Sequence, residues 1–280
     1  MNAHQNRPLT VQAAVITYLR LTAIVGYIGL TTLFLWLLFP VLPAATRHTW
    51  IRTWARYALF IIGVRLRVQR QPVIEAVPAQ LFIANHISWL DILLMHQLLP
   101  VRFVAKSDVR TWPLVGRITQ LVGTLYIDRA SRRDMNRVNT EIAACLQSAC
   151  HVMVFPEGTT SDGRQVLPFH AGLLQAAVVT RSPIQAIAIR YLQDDGQICD
   201  AATYHGDKTI WQTLRELCAQ PRVWADVTFM TPVLTADKQR RELATITHQY
   251  ISEQLRIEQL VPQQVESVAL TNTAAVRAQS

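Results

Sequence analysis

The sequence predicts an α/β fold: a central mixed sheet flanked by helices, preceded by an N-terminal pair of membrane-associated helices. Three observations predict it. No charged residue occurs from Leu21 to Thr46, a run longer than the roughly 20 residues a spanning helix needs. After Pro72, short β-rich runs alternate with stretches of helical periodicity, the pattern of an α/β sheet domain. Hydrophobic residues make up 50% of the chain and charged residues 16%. The usual charged share is roughly a quarter, and a lipid-facing portion accounts for the shortfall. The expected organisation is residues 1–70 as anchoring helices, 71–260 as the α/β domain, and 261–280 as a mobile tail.

In the arm, residues 11–65 read as two apolar helices, with Pro40 and Pro43 ending the first. Phe34, Trp36 and the leucine-rich run suit lipid. A cleaved signal peptide fits poorly, because the apolar run is too long and no small-x-small cleavage site follows it. Arg47, Arg52, Arg56, Arg65, Arg67 and Arg70 then come before the first acidic residue, Glu75. Trp50, Trp54 and Tyr57 share one helix face at i, i+4, i+7, which predicts a helix lying among lipid headgroups. Arg7 and Arg20 precede these six arginines, and the excess places the later side in the cytoplasm. The sequence leaves open both a crossing and a fold-back.

Beyond the arm, strands are expected at Gln80–Ala84, Arg102–Ala105, Thr124–Ile127, Val152–Phe155, Pro183–Ile189 and Val223–Met230. Helices are expected near 89–99, 132–149, 170–181, 208–219 and 237–258. No repeat is evident. Residues 261–280 lack periodicity and are rich in Ala, Gln, Ser and Thr. Cys145, Cys150, Cys199 and Cys218 form no Cys-x-x-Cys pair and lie at no zinc-site spacing from histidines, so reduced thiols without a structural metal are expected. The net charge of +8 suits anionic lipid, an acidic carrier protein, a phosphorylated substrate or nucleic acid. The aromatic and apolar neighbours of the basic segment favour lipid, and no nucleic-acid partner is expected.

Three motifs carry chemistry. Asn85-His86-Ile87-Ser88-Trp89-Leu90-Asp91 lies between an apolar strand and a new apolar run. His86 and Asp91 at a strand-to-helix junction can form a general base and its orienting carboxylate. The same residues can equally be a helix start, with Ser88 as N-cap and Asp91 at N3. Contact between the pair requires His86 to precede the helix, since five residues within one helix are about 140° apart. Phe155-Pro156-Glu157-Gly158-Thr159 follows a buried-type strand. Such a sharp turn at a strand end either lines a site or is a plain surface turn. Lys106, Trp112-Pro113, Gly116, Gly123 and Asp128-Arg129 form the third group, in which Arg129 can fork onto a phosphate or carboxylate. There is no Gly-x-Ser-x-Gly elbow, no Gly-x-Gly-x-x-Gly and no Walker loop.

Together these motifs resemble the PlsC-type glycerolipid acyltransferases, the 1-acyl-sn-glycerol-3-phosphate acyltransferase family, over roughly residues 65–235. The family's His-x-x-x-x-Asp block matches His86 and Asp91. Its second block matches Lys106, Pro113, Gly116, Asp128 and Arg129, and its third matches Phe155 to Thr159. The fourth is met loosely by Pro183 to Ala188, with Ala186 where a second proline is usual. The resemblance implies acyl transfer from an acyl-CoA or acyl carrier protein thioester to the hydroxyl of a lysolipid, giving phosphatidic acid from 1-acyl-sn-glycerol-3-phosphate. It implies His86 as base, Asp91 as its orienter, Glu157, Gly158 and Thr159 at the acceptor, and Arg129 and Lys106 on its polar head. No bound cofactor or metal is implied. The location implied is the cytoplasmic face of a bacterial inner membrane. One departure bears on the acceptor: Thr160 stands where the family commonly has an arginine. The continuation Thr160-Ser161-Asp162-Gly163 resembles relatives that acylate lyso-ornithine lipid. An answer of another class is a non-catalytic lipid-binding membrane protein.

Overall fold

The computed structural model describes residues 11–70, 79–112, 115–128 and 130–256. The described elements open with α1 (Val11–Leu37) and α2 (Ala44–Ile62), an antiparallel pair joined through a short 3-10 turn at Phe39–Val41. There follow β1 (Val64–Arg70), β2 (Leu81–Ala84), α3 (Leu90–Leu98), β3 (Val101–Lys106), α4 (Val115–Leu121), β4 (Leu125–Ile127), α5 (Arg132–Gln147) and β5 (His151–Val154). The order closes with α6 (Gln175–Thr180), β6 (Ile184–Leu192), α7 (Ile210–Ala219), β7 (Val223–Phe229) and α8 (240–256). The strands form one sheet in the order β1-β7-β6-β2-β5-β3-β4. β6 and β7 are antiparallel and the other neighbours are parallel. This is the mixed sheet between helices that the sequence predicts.

Alternation along β2 shows how the sheet is covered. Phe82 and Ala84 face a core shared with α2, α3 and α7, while Leu81 and Ile83 face a second core with α5, α6 and α8. Every residue of β2 is buried, as expected for a central strand covered on both faces. The His86–Asp91 and Phe155–Thr159 motifs follow the carboxyl ends of β2 and β5, the edge where open α/β sheets place their sites.

The arm differs from the sequence reading in two places. Helix was expected through residue 65. Instead α2 stops at Ile62, and Gly63 (φ 97°) closes it in the left-handed conformation. Val64–Arg70 then pairs in parallel with β7. In this strand Arg67 lies over the Trp224 ring at 3.8 Å and Arg70 over Phe229 at 4.4 Å, so these cations cover the sheet edge. The second difference is the aromatic stripe. Trp50 stacks on Phe34 of α1 at 4.6 Å, and Trp54 Nε1 donates to Thr31 Oγ1 at 3.0 Å. Two of the three aromatics therefore face the partner helix, and only Tyr57 is exposed. Arg20, midway along α1, donates to the carbonyls of Cys218, Gln220 and Pro221. It thereby satisfies acceptors that the end of α7 leaves open and ties the arm to the domain. Pro113, Arg129 and the tail expected at 261–280 lie outside the described residues.

Candidate active site

The site is built on the exit from β2. Asn85 Nδ2 donates to the carbonyl of Ile189 at 3.0 Å, and its Oδ1 accepts from Ile189 N–H at 2.8 Å. A side chain thus takes over the ladder to β6 and fixes where the next residue points. That residue, His86, precedes α3, as contact with Asp91 requires. His86 Nδ1 lies 2.8 Å from Asp91 Oδ2. The same oxygen accepts the N–H groups of Ile87 at 2.8 Å and Ser88 at 2.9 Å. Asp91 Oδ1 accepts the hydroxyl of Tyr191 at 2.6 Å.

The helix-start and pairing readings of Asp91 therefore hold together in part. Its carboxylate reaches back to N–H groups ahead of α3, as an acidic residue in a capping box does. Ser88 is not the cap: Trp89 occupies that position without a side-chain cap bond, and Ser88 Oγ and Trp89 Nε1 are buried without a partner among the described residues. The Asp91 side chain is fully buried while that of His86 is 18% exposed. Because Asp91 can only accept here, Nδ1 carries the imidazole proton and Nε2 presents its lone pair. The ring lies on Phe155 at 4.0 Å and an interplanar angle of 11°, which holds its plane.

Glu157 braces the pair from the turn after β5. Gly158 adopts φ 74° there, a conformation glycine reaches without a Cβ penalty. Glu157 is buried; its Oε1 accepts His86 N–H at 2.9 Å and its Oε2 accepts Leu167 N–H at 3.2 Å. Burial pushes its carboxyl from 4.5 up to about 7; the two N–H donors oppose that rise and nearby Asp91 adds to it. Ser161 N–H donates to His86 O at 2.8 Å and Tyr204 N–H to Ile87 O at 2.9 Å, so the turn bearing His86 is held from both sides.

The raised Glu157 carboxyl makes the folded state bind its proton more tightly than the unfolded chain. The stability it contributes is full below pH 4.5 and is lost as pH rises to about 7. That loss is at most about 3 kcal/mol, less whatever solvent screens. His96, which burial and then His48 hold at about 4, acts with opposite sign between pH 4 and 6.5. The informative quantity is therefore the difference between wild type and Glu157→Gln. Wild-type Tm should fall relative to the variant as pH rises from 4.5 to 7, as read by thermal melts; a constant difference would contradict the assignment.

Of the other expected residues, Lys106 ends β3, two strands from β2 along the same edge. It is exposed and paired with Asp108 at 2.5 Å. Thr159 is exposed at the turn. Arg164 and Asp200, not singled out in the sequence, form a charged cluster with Asp162 beside the site: Arg164 Nη2 is 2.7 Å from Asp200 Oδ1, and its Nη1 is 4.0 Å from Asp162 Oδ2. At Gly163, between Asp162 and Arg164, a Cβ would meet the Ile87 side chain at 3.4 Å. Tyr191 was also missed. Its one sequence signal is a phenol within a buried apolar strand, which demands a hydrogen-bond partner without naming it. A cavity of about 450 Å³ lined by Arg47, Arg102 and His151 lies at the opposite end of the sheet and includes neither His86 nor Asp91.

The acyltransferase family profile matches residues 65–190. A 1-acyl-sn-glycerol-3-phosphate acyltransferase of Neisseria gonorrhoeae is 39% identical over 140 residues, covering 50% of this chain and 54% of that protein. The chain thus spans about half the length of that relative. A lyso-ornithine lipid O-acyltransferase of Pseudomonas aeruginosa is 32% identical over 214 residues, covering 75% of this chain and 79% of that protein. Among solved structures, the 1-acyl-sn-glycerophosphate acyltransferase PlsC of Thermotoga maritima shares the fold. It aligns with TM-score 0.64 at 20% identity, over 88% of this chain and 95% of that one.

Proposed function

The chain belongs to the acyltransferase family, and on that footing we propose that it moves a fatty acyl group from an acyl-CoA or acyl carrier protein thioester to the free hydroxyl of a lysolipid. The acceptor in the first reading is 1-acyl-sn-glycerol-3-phosphate, giving phosphatidic acid. The observation that carries the reading is the 2.8 Å contact between His86 Nδ1 and an Asp91 carboxylate fixed by three further donors.

His86 Nε2 takes the hydroxyl proton as that oxygen attacks the thioester carbonyl carbon. Asp91 holds the ring and stabilises the imidazolium that forms. The tetrahedral adduct collapses, the C–S bond breaks, and His86 returns the proton to the departing sulfur. A thiol leaves readily, its pKa being about 8.5, so no acyl-enzyme is required. Glu157 and Gly158 shape the acceptor's seat. Incubating purified protein with labelled acyl thioester and lysolipid tests this against a silent lipid-binding protein, which would yield no labelled diacyl product.

A second acceptor, a lyso-ornithine lipid, is favoured by the Asp162–Arg164–Asp200 cluster. Two carboxylates flanking a guanidinium suit a head bearing both an amine and a carboxylate, and they disfavour a phosphate dianion. Competition between the two lysolipids separates the readings. If the phosphate acceptor wins, Arg129→Ala should raise its KM and Arg164→Ala should leave it unchanged. If the ornithine acceptor wins, the two variants should behave the other way round.

The lipid phase is met by α1. Residues Ala14–Leu37 are long and apolar enough to cross a membrane, and only 17% of the most apolar window is buried. Val15, Leu19, Leu30, Leu33, Trp36 and Leu37 are all exposed, an outward face that lipid would cover. We place the protein at a bacterial inner membrane with the sheet domain on the cytoplasmic face. Replacing Leu30 and Leu33 together with Asp should move much of the protein from the membrane to the soluble fraction. Unchanged sedimentation with membranes would remove this face from the anchor.

A further inference from the structure

One of the donors that fix Asp91, the phenol of Tyr191, has no step of its own in the chemistry above. β6 alternates so that Ile187, Ile189 and Tyr191 share the core under α2 and α3. The Asn85–Ile189 bonds set the offset between β2 and β6. Two residues further along, the Tyr191 ring comes beneath the first turn of α3, and its hydroxyl donates to Asp91 Oδ1 at 2.6 Å. Tyr191 is 1% exposed and Asp91 is fully buried, so no water competes for that oxygen. The phenol is held well above its ordinary 10 by burial first and by Asp91 second, and it stays a donor across the working pH range.

We propose that Tyr191 is a positioning residue for acyl transfer: by occupying Oδ1 it fixes the carboxylate plane, so that Oδ2 stays on His86 Nδ1. This rests on the reading of His86 as base. Oδ2 is shared by three N–H donors, and two of them belong to the backbone. Without the phenol, the carboxylate can tilt towards those two and away from the imidazole, leaving Oδ1 buried and unpaired. Phenylalanine fills the same volume, so the fold should survive its introduction.

The test compares Tyr191→Phe, His86→Ala and the double variant with wild type, in detergent or nanodiscs. Tyr191→Phe should lower kcat roughly tenfold, as loss of a hydrogen bond to a charged group does, with the KM of both substrates within about twofold. In the His86→Ala background it should have no further effect, because the phenol acts only through the imidazole. The proton NMR signal of His86 Nδ1–H, identified by its loss in His86→Ala, should move in Tyr191→Phe. A full kcat, or a loss that multiplies in the double variant, would overturn the proposal. So would an unmoved Nδ1–H signal, which reports on the contact even if the acyl-transfer reading fails. That reading fails separately if His86→Ala keeps full activity.

Discussion

His86→Ala should lower kcat by roughly 10²–10⁴, the usual contribution of a positioned general base, with little change in the KM for either substrate. In the proposed mechanism the imidazole touches the reaction only through Nε2, and binding of the thioester and lysolipid does not need it. The fold should persist. The ring is partly exposed, and it contributes one side-chain hydrogen bond and a stack on Phe155. The backbone of residue 86 keeps its bonds to Glu157 and Ser161. Steady-state kinetics with a thermal melt decides the matter. Near-normal turnover would remove His86 as base, and collapse of the melt would show a structural role instead.

Asp91→Asn should cost less than His86→Ala, roughly 10²-fold, and the reason lies in the local donors. In a triad where asparagine presents its amide N–H to the histidine, the wrong tautomer forms and turnover falls by ~10⁴. Here the N–H groups of Ile87 and Ser88 both point at the position of Oδ2. They demand an acceptor, so the asparagine oxygen takes that place and still receives Nδ1–H. The amide nitrogen faces the Tyr191 oxygen, which can accept. What is lost is the negative charge opposite the imidazolium, a difference of the size of a charge-assisted hydrogen bond. A loss of ~10⁴ would show that the asparagine flips despite those donors. Full activity would show that the carboxylate charge does nothing for turnover.

The sheet was legible because its strands are short apolar runs set between helical periods, and the grouping of His86, Asp91 and Glu157 because they sit in dense local motifs. What escaped the sequence has specific physical causes. Val64–Arg70 alternates apolar and polar residues as an edge strand does, but its arginines continue the basic run of the arm and by pattern belong with it. Their guanidinium groups lie over Trp224 and Phe229, a long-range pairing that no local pattern encodes. Trp50 and Trp54 share a helix face, and periodicity alone cannot say whether lipid or another helix meets it. Tyr191 stands 100 positions from Asp91, and only the register of β6 on β2 brings them together. By its motif Glu157 is expected to face the acceptor. Its two backbone bonds, to His86 and Leu167, make it a brace as well, because burial leaves a carboxylate in need of donors.

The central claim, that His86 draws the proton directly from the acceptor hydroxyl, is tested most directly by a structure of the protein with lysolipid and a non-transferable thioether analogue of the donor. The account predicts the free hydroxyl within about 3.2 Å of His86 Nε2, on the far side of the ring from Asp91, with the donor's carbonyl carbon in reach of that oxygen. A hydroxyl bound away from Nε2, or an acyl group found on a protein side chain when the true donor is supplied, would contradict it.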